Sequence, residues 1–287
     1  MTVSIVIPAF NEGPSVAGTV RQALAALSAA GIAGGEVLVV DDGSSDDTAA
    51  RAEAAGARVT RHPHNIGYGR AIKTGMEVAA NDTIVITDAD GTYPIAEIPA
   101  LLAQYRRGFD MVVGERTGSH YRESWIKWPL RIALRRLVEH VAGRPIPDIN
   151  SGLRVFSRTT TRPFLIHLSD GFSFTTSITL AYMINGRFVH YYPIAYGERS
   201  GTTKVRLLKD SWRTVKVILK TALYHSPMTI FFALSAGCVL LAAISIAIGI
   251  VFKMATGFMM GVASILAAIF VFCLGLLSDL LRQILKK

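Results

Sequence analysis

Two patterns of apolar and polar positions divide this chain. Through the first 113 residues, short apolar runs alternate with longer segments of helical character. Val3 to Ile7 reads VSIVI, a buried strand, and Ser15 to Ala30 is an Ala-rich helix ended by Gly31. Val37 to Val40 is a second strand, closed by Asp41-Asp42-Gly43, and Asp46 to Ala55 is a helix with Gly56 at its C-cap. A short strand over Ala57 to Thr60, a helix over Tyr68 to Ala79 and a strand over Thr83 to Thr87 (TIVIT) follow. A helix over Ile95 to Arg106 and a strand over Met111 to Val113 complete the series. Alternation of this kind predicts an α/β fold, a mostly parallel Rossmann-like sheet with flanking helices. Ligands in such sheets bind at the carboxyl ends of the strands. The segments to search are therefore Pro8 to Glu12, Asp41 to Ser45, Asp88 to Pro94 and Gly114 to Gly118.

The second pattern is at the other end. Met228 to Phe252 and Met254 to Ser278 are each 25 residues without a charge, parted by Lys253. As a helix, either run extends roughly 37 Å, enough for a hydrocarbon core of roughly 30 Å with some tilt. Pro227 stands where Pro favours a helix start. The reading is a two-helix transmembrane hairpin, spans 227–252 and 254–280, turning near Lys253 to Gly257. Gly237, Gly249, Gly257 and Gly261 would allow close packing between protomers, and so a homo-oligomer.

Composition fits this division. Of 287 residues, 51% are apolar and 18% charged, against roughly a quarter charged in an average soluble domain. Two cysteines, Cys238 and Cys273, make neither a disulfide framework nor a metal spacing. Disorder, collagen-like repeats and a small secreted scaffold are excluded. The formal charge is +9, and residues 204–220 alone hold six basic residues and one acid. There Lys209, Arg213, Lys216 and Lys220 share a helical period with Leu208, Trp212, Val215 and Leu219. A similar stretch is 125–141, with Lys127, Arg131 and Arg135 beside Trp128, Ile132, Leu137 and Val141. Helices of this kind lie in the headgroup layer of membrane lipid. Nucleic acid is the weaker reading, because no nucleic-acid module is present and the second stretch runs into the span at Pro227. The expected organisation is a catalytic domain over 1–203, an interfacial helix over 204–225 and the hairpin. Arg282, Lys286 and Lys287 beyond the second span place both tails, and the first 225 residues, in the cytoplasm. The first residues read as a strand, not as a signal peptide.

Candidate chemistry lies at the strand ends. No dinucleotide fingerprint follows the first strand, and there is no phosphate-binding G-x-x-x-x-G-K-[ST]. Asp88-Ala89-Asp90 ends a strand, and alternation would point both carboxylates to one side, suiting Mg²⁺ or Mn²⁺. Asp41-Asp42 ends a second strand and Glu12 follows the first, so acids converge on a metal–nucleotide site. His62, His64 and His140 show no metal spacing and read as surface or locally hydrogen-bonded residues.

These pieces carry a resemblance. IVIPAFNE (5–12), VVDDGSSDDT (39–48), NIGYGRAIKTG (65–75), TDADGTYP (87–94), GER (114–116), DINSGLRVF (148–156) and ERSGTTK (198–204) occur in order over about 200 residues. The chain resembles family 2 glycosyltransferases of GT-A fold, and among them the dolichyl- or polyprenyl-phosphate glycosyltransferases. The resemblance implies a nucleotide-sugar donor, a polyprenyl phosphate acceptor, a divalent metal and inversion at the sugar. It implies that Pro8, Phe10, Glu12, Val40 and Asp42 hold base and ribose, and that Asp88, Ala89 and Asp90 hold metal and diphosphate. Arg116 would lie near the reacting phosphates, Ser151 in the acceptor-phosphate loop, and Arg199 and Lys204 over the diphosphate. Where the family often has Gln, this chain has Thr92. Where a basic residue often precedes the Asp of the acceptor loop, it has Pro147, and Arg144, Arg122 and Arg154 are the alternatives. Two other readings stand beside this one: a family 2 enzyme acting on a glycan hydroxyl with Asp148 as base, and a non-catalytic nucleotide-sugar-binding scaffold.

Overall fold

The computed structural model describes residues 1–118, 139, 143–197, 216, 223 and 227–285. The chain divides into two units, Met1–Ile218 and Leu219–Lys287. In the first, seven strands share one sheet: β1 (Val3–Ala9), β2 (Glu36–Asp41), β3 (Arg58–Arg61), β4 (Thr83–Ile86), β5 (Met111–Thr117), β6 (Arg154–Ser157) and β7 (Val189–Ala195). Their order is β3-β2-β1-β4-β6-β5-β7. All seven residues of β1 are buried, because helices cover both faces. On one face Val3, Ile5 and Ile7 pack with Val16 and Val20 of α1 (Gly13–Ala29). On the other, Val6 packs with Ile72 and Met76 of α3 (Tyr68–Val78). Gly75 of α3 sits so close to Val6 that a Cβ would collide with its side chain. Each fully buried Val or Ile contributes about 1.5–3 kcal/mol, so the apolar run read from the sequence is what seats β1 centrally.

The other α-helices with described bounds in this unit are α2 (Thr48–Ala54), α4 (Ile98–Tyr105), α5 (Arg158–Thr161) and α6 (Phe174–Ile184). The expected helix over 95–106 is a 3₁₀ turn, Ile95–Glu97, continued by α4. Two strands were not expected. β6 (RVFS) begins on an Arg, and β7 (VHYYPIA) is half polar, so neither stands out as an apolar run.

β1 to β4 run parallel, and the order reverses between β1 and β4. A ligand crevice forms at such a switch point. β6 is antiparallel to both β4 and β5. The loop entering β6 therefore lies at the same sheet end as the segments leaving β4 and β5. One expectation changes here: β5 continues to Thr117, so Gly114 to Arg116 are strand, with Arg116 paired to Ile194 of β7.

The second unit holds α7 (Pro227–Phe252) and α8 (Ala255–Leu285). Both are long and apolar enough to cross a membrane, and only 17% of either apolar window is buried. Core helices of a soluble protein bury their apolar face, whereas Leu240, Leu241, Phe270 and Leu277 here are exposed. Lys253 makes the turn at φ +50°, and Met254 N–H donates to Gly249 O at 3.0 Å. α8 runs five residues past the expected end at 280.

Three of the four glycines named above for close packing are in contact within the hairpin itself. A Cβ on Gly257 would lie 2.6 Å from Gly249 Cα, and one on Gly261 would strike Ile246. Gly249, Gly257 and Gly261 thus close the hairpin on itself, and only Gly237 of the four has nothing within 4 Å. Gly257→Leu should destabilise the hairpin by about 1–3 kcal/mol, the usual cost of overpacking. Thermal unfolding in detergent would show it, and an unchanged midpoint would contradict this packing.

The stretches 125–141 and 204–225 lie outside the described residues apart from Glu139, Lys216 and Leu223. His140 and Arg122 are outside them too.

Candidate active site

The loops after β1 and β2 are laced together. Pro8 and Val40 stand side by side across the two strands, and Asp42 N–H donates to Ala9 O at 2.8 Å. Asn11 adopts φ +51°, a left-handed conformation that Asn tolerates better than most residues. There its N–H donates to Ser44 Oγ, and its Oδ1 accepts from Ser45 N–H, both at 2.9 Å. Glu12 N–H donates to Thr48 Oγ1 at 2.9 Å. Four of the five residues expected at base and ribose, Pro8, Glu12, Val40 and Asp42, thus belong to one braced wall, and Phe10 lies within the same loop.

Asp42 is buried and is the wall's hub. Its Oδ1 accepts from Ile66 N–H at 3.0 Å and meets His62 Nδ1 at 2.7 Å, and its Oδ2 accepts from Gly67 N–H at 2.8 Å. His62 Nε2 reaches Thr74 Oγ1 at 3.0 Å. A carboxylate offers about four acceptor positions, so three of those on Asp42 serve the fold. His62 is locally hydrogen-bonded, as read from the sequence.

β4 pairing ends at Ile86, and Asp88-Ala89-Asp90 enters a turn. Hydrogen bonds, rather than the strand alternation expected, therefore aim these carboxylates. Asp88 Oδ1 accepts from Tyr68 OH at 2.9 Å. Asp90 Oδ1 accepts from Thr92 N–H at 3.1 Å and Thr92 Oγ1 at 2.6 Å. Thr92 thus orients Asp90 through two hydrogen bonds to one carboxylate oxygen. Thr19 Oγ1 of α1 donates to Ala89 O at 3.1 Å and pins the turn from below.

Sequence reasoning missed Tyr68. Its ring stacks on Phe172 with centroids 5.8 Å apart. Burial, and then the negative charge of Asp88, push its phenol well above the ordinary value. It stays a donor at any physiological pH. Among the described residues no third His, Cys, Asp or Glu joins Asp88 and Asp90. Two hard oxygen donors with the remaining positions left to phosphate and water fit Mg²⁺ or Mn²⁺. Tyr68→Phe should weaken Mn²⁺ binding about tenfold, the usual scale for losing a group that orients a ligand. Titration followed by electron paramagnetic resonance would measure it, and an unchanged affinity would remove Tyr68 from this role.

The acceptor-loop candidates meet this turn through strand register. Ile86 pairs with Arg154 across β4 and β6. Continuing the ladder by two residues brings Asp88 opposite Gly152, where a Cβ would lie 2.8 Å from Asp88 Oδ1. Only glycine admits that approach. Across β5 and β6, Val113 pairs with Arg154 and Gly114 N–H donates to Leu153 O at 2.9 Å. The loop that precedes β6 then returns to β5 at Arg116, whose N–H donates to Asp148 Oδ2 at 3.2 Å.

Asp148 and Arg116 form a bidentate pair. Arg116 Nε donates to Oδ2 at 2.7 Å and Nη2 to Oδ1 at 2.8 Å, with Arg116 N–H on Oδ2 at 3.2 Å. Burial alone would raise the Asp148 carboxyl, but the hydrogen bonds and charge of Arg116 hold it below its ordinary value. The Arg116 guanidinium lies 5.4 Å from the centroid of Tyr196. Tyr93 meets Tyr196 edge-on at 5.2 Å, and its hydroxyl accepts from Gly152 N–H at 2.6 Å. Gly197 N–H donates to Thr92 O at 2.9 Å. Arg199 and Lys204, which follow it, lie outside the described residues. Ser151 Oγ is fully buried without a hydrogen-bond partner among the described residues.

A seven-stranded sheet with these loops at one end has counterparts among known proteins. Residues 4–166 match the Glycosyl transferase family 2 domain. The chain belongs to glycosyl transferase family 2. Among family relatives, an undecaprenyl-phosphate 4-deoxy-4-formamido-L-arabinose transferase of Enterobacter sp. is 34% identical over 54% of this chain and 49% of its own length. The enzyme of the same description from Sodalis glossinidius is 31% identical, over 72% and 64%. The low-salt glycan biosynthesis hexosyltransferase Agl6 of Haloferax volcanii is 30% identical, over 77% and 54%. The chain thus spans from about half to just under two thirds of these relatives.

The fold also matches glucosyl-3-phosphoglycerate synthase from Mycobacterium tuberculosis, solved with Mg²⁺ and UDP. Its TM-score is 0.60 at 22% identity, covering 77% of this chain and 79% of that one. A second structure of that synthase, with Mn²⁺, UDP and glucosyl-3-phosphoglycerate, gives a TM-score of 0.58 at 23% identity over 77% and 80%. This is the GT-A fold expected from the sequence, and divalent metal with UDP recurs among its structural neighbours.

Proposed function

We propose that this protein transfers a hexose from a nucleotide-sugar, GDP-mannose or a UDP-hexose, to a polyprenyl or dolichyl monophosphate at a membrane. The observation that carries the reading is the contact between Asp88 and Gly152. It joins a two-carboxylate turn to a loop that carries Asp148, the partner of Arg116, and the Ser151 hydroxyl, which has no partner among the described residues. The two long apolar helices supply a reason for a lipid acceptor, and the names of the relatives agree with it.

Pro8, Phe10, Glu12, Val40 and Asp42 would line the nucleoside. Asp88 and Asp90 would hold Mg²⁺ or Mn²⁺, with Ala89 beside the diphosphate. A divalent ion there supplies charge neutralisation of the leaving diphosphate. Arg199 and Lys204 would add positive charge to the same leaving group. Arg116 and Ser151 would hold the acceptor phosphate in line with the anomeric carbon. A phosphate monoester is already ionised near neutral pH, so its oxygen attacks without a strong general base. Positioning and charge stabilisation then account for the rate. In-line attack inverts the anomeric centre, and an α-linked donor gives a β-linked product. Asp148 is engaged by Arg116 and held low in pKa, which disfavours it as the base that a hydroxyl acceptor would need. The catalytic unit would face the cytoplasm, with 125–141 and 204–225 in the headgroup layer.

Purified protein in detergent with polyprenyl phosphate, Mg²⁺ or Mn²⁺ and a panel of nucleotide-sugars should form a lipid-linked sugar. Transfer to an oligosaccharide without polyprenyl phosphate would replace the acceptor assignment. Nucleotide-sugar binding without turnover would favour the scaffold reading.

A further inference from the structure

Arg154 is the largest fully buried side chain described, and its guanidinium has no carboxylate at ion-pair distance among the described residues. Its donors go to neutral oxygens instead. Nε donates to Ser151 O at 2.7 Å, Nη2 to Ile149 O at 2.9 Å, and Nη1 to Thr179 Oγ1. A buried charge without a counter-charge is costly to keep, so this placement calls for a reason.

The peptide groups that Arg154 grips are held at both ends. The peptide whose carbonyl belongs to Ile149 carries the N–H of Asn150, which donates to Asp148 Oδ1 at 3.1 Å. The peptide whose carbonyl belongs to Ser151 carries the N–H of Gly152, which donates to Tyr93 OH at 2.6 Å. One chain of hydrogen bonds thus leads from Arg154 through Asp148 to Arg116. The other leads to Tyr93, in the segment that follows the Asp88–Asp90 turn. Between the two clamped peptides lies Ser151, whose buried Oγ has no hydrogen-bond partner among the described residues.

We infer that Arg154 is the positioning residue of the acceptor subsite, fixing both peptides around Ser151 and placing behind the loop the positive charge that Pro147 does not bring. It touches no substrate. It acts by holding Ser151 and, through Asp148, Arg116, and its buried charge favours an anion arriving at that loop. The inference rests on the polyprenyl phosphate reading given above. Of the alternatives for the missing basic residue, exposed Arg144 donates among the described residues to Arg187 O, at 3.5 Å. Arg122 is outside the described residues.

The test is a split between acceptor and donor constants in Arg154→Lys, which keeps the charge but loses the fork, and in Thr179→Val, which keeps Arg154 but removes one of its acceptors. Arg154→Lys should raise KM for polyprenyl phosphate at least tenfold, leaving KM for the nucleotide-sugar and Mn²⁺ affinity with nucleoside diphosphate within twofold. Thr179→Val should move KM for the acceptor the same way by about threefold, and it carries the test if Arg154→Lys does not fold. Acceptor KM unchanged, or donor and acceptor constants worsened together, would overturn the role. Absence of lipid-linked product from the unmodified protein would be a failure of the acceptor reading instead, and is seen before either variant is made.

Discussion

Asp90→Asn is expected to lower transfer about 10³-fold or more while the protein folds normally. The amide oxygen of Asn can still accept the Thr92 N–H and hydroxyl that close the turn at 3.1 and 2.6 Å. What is lost is a negative charge on a hard ligand. A metal ion stabilises developing charge by several kcal/mol, and each 1.36 kcal/mol is tenfold in rate. Steady-state kinetics across a Mn²⁺ titration, with thermal unfolding as the control for folding, would measure the effect. Turnover within a fewfold of the parent protein at all metal concentrations would remove Asp90 from the site. Asp88→Asn is a less clean experiment, because the Tyr68 hydrogen bond and the packing against Gly152 change with it.

The second large effect concerns Asp148. Its side chain is 2% exposed and that of Arg116 13%, so Asp148→Ala takes away the carboxylate that holds a largely buried guanidinium by two hydrogen bonds. Breaking a buried pair in this way costs about 3–5 kcal/mol of stability. Activity should fall with it, chiefly through acceptor KM, since Arg116 loses its anchor. A general base would behave differently, with kcat falling while the unfolding midpoint stayed in place. The pH dependence separates the two as well. The folded-state pKa of Asp148 lies below its ordinary 3.8. The pair therefore contributes fully above that ordinary value and is lost as pH falls through the lower folded one. Its stability contribution should hold through neutral pH and fade only below about pH 4. A base titrating on the acid limb of kcat near pH 5 to 6 would contradict this picture.

Much of the molecule is legible in the order of its residues. Continuous apolar runs placed β1, β2 and β4 to within two residues, because strands buried on both faces tolerate few polar residues. The two uncharged runs announced their helices, since apolar runs of that length match helices long enough to cross a membrane. Carboxylates at strand ends pointed to a crevice, because that is where a parallel sheet opens. Neither β6 nor β7 was visible. Arg154 opens β6 and stays buried because the loop it grips and Thr179 lie around it, an environment that no window along the chain contains.

The sequence by itself therefore determined the α/β architecture, the hairpin of long apolar helices and the family, for each rests on local periodicity or on motifs in a set order. Tertiary structure alone decided which of those motifs touch. Asp88 meets Gly152, 64 residues away in the chain, because one antiparallel strand turns the 148–152 loop back to the same sheet end. Asp148 became the partner of Arg116, Tyr68 the support of Asp88, and three hairpin glycines the contact within one chain. Hydrogen bonds, ion pairs and close backbone approach depend on distances that spacing along a chain does not contain.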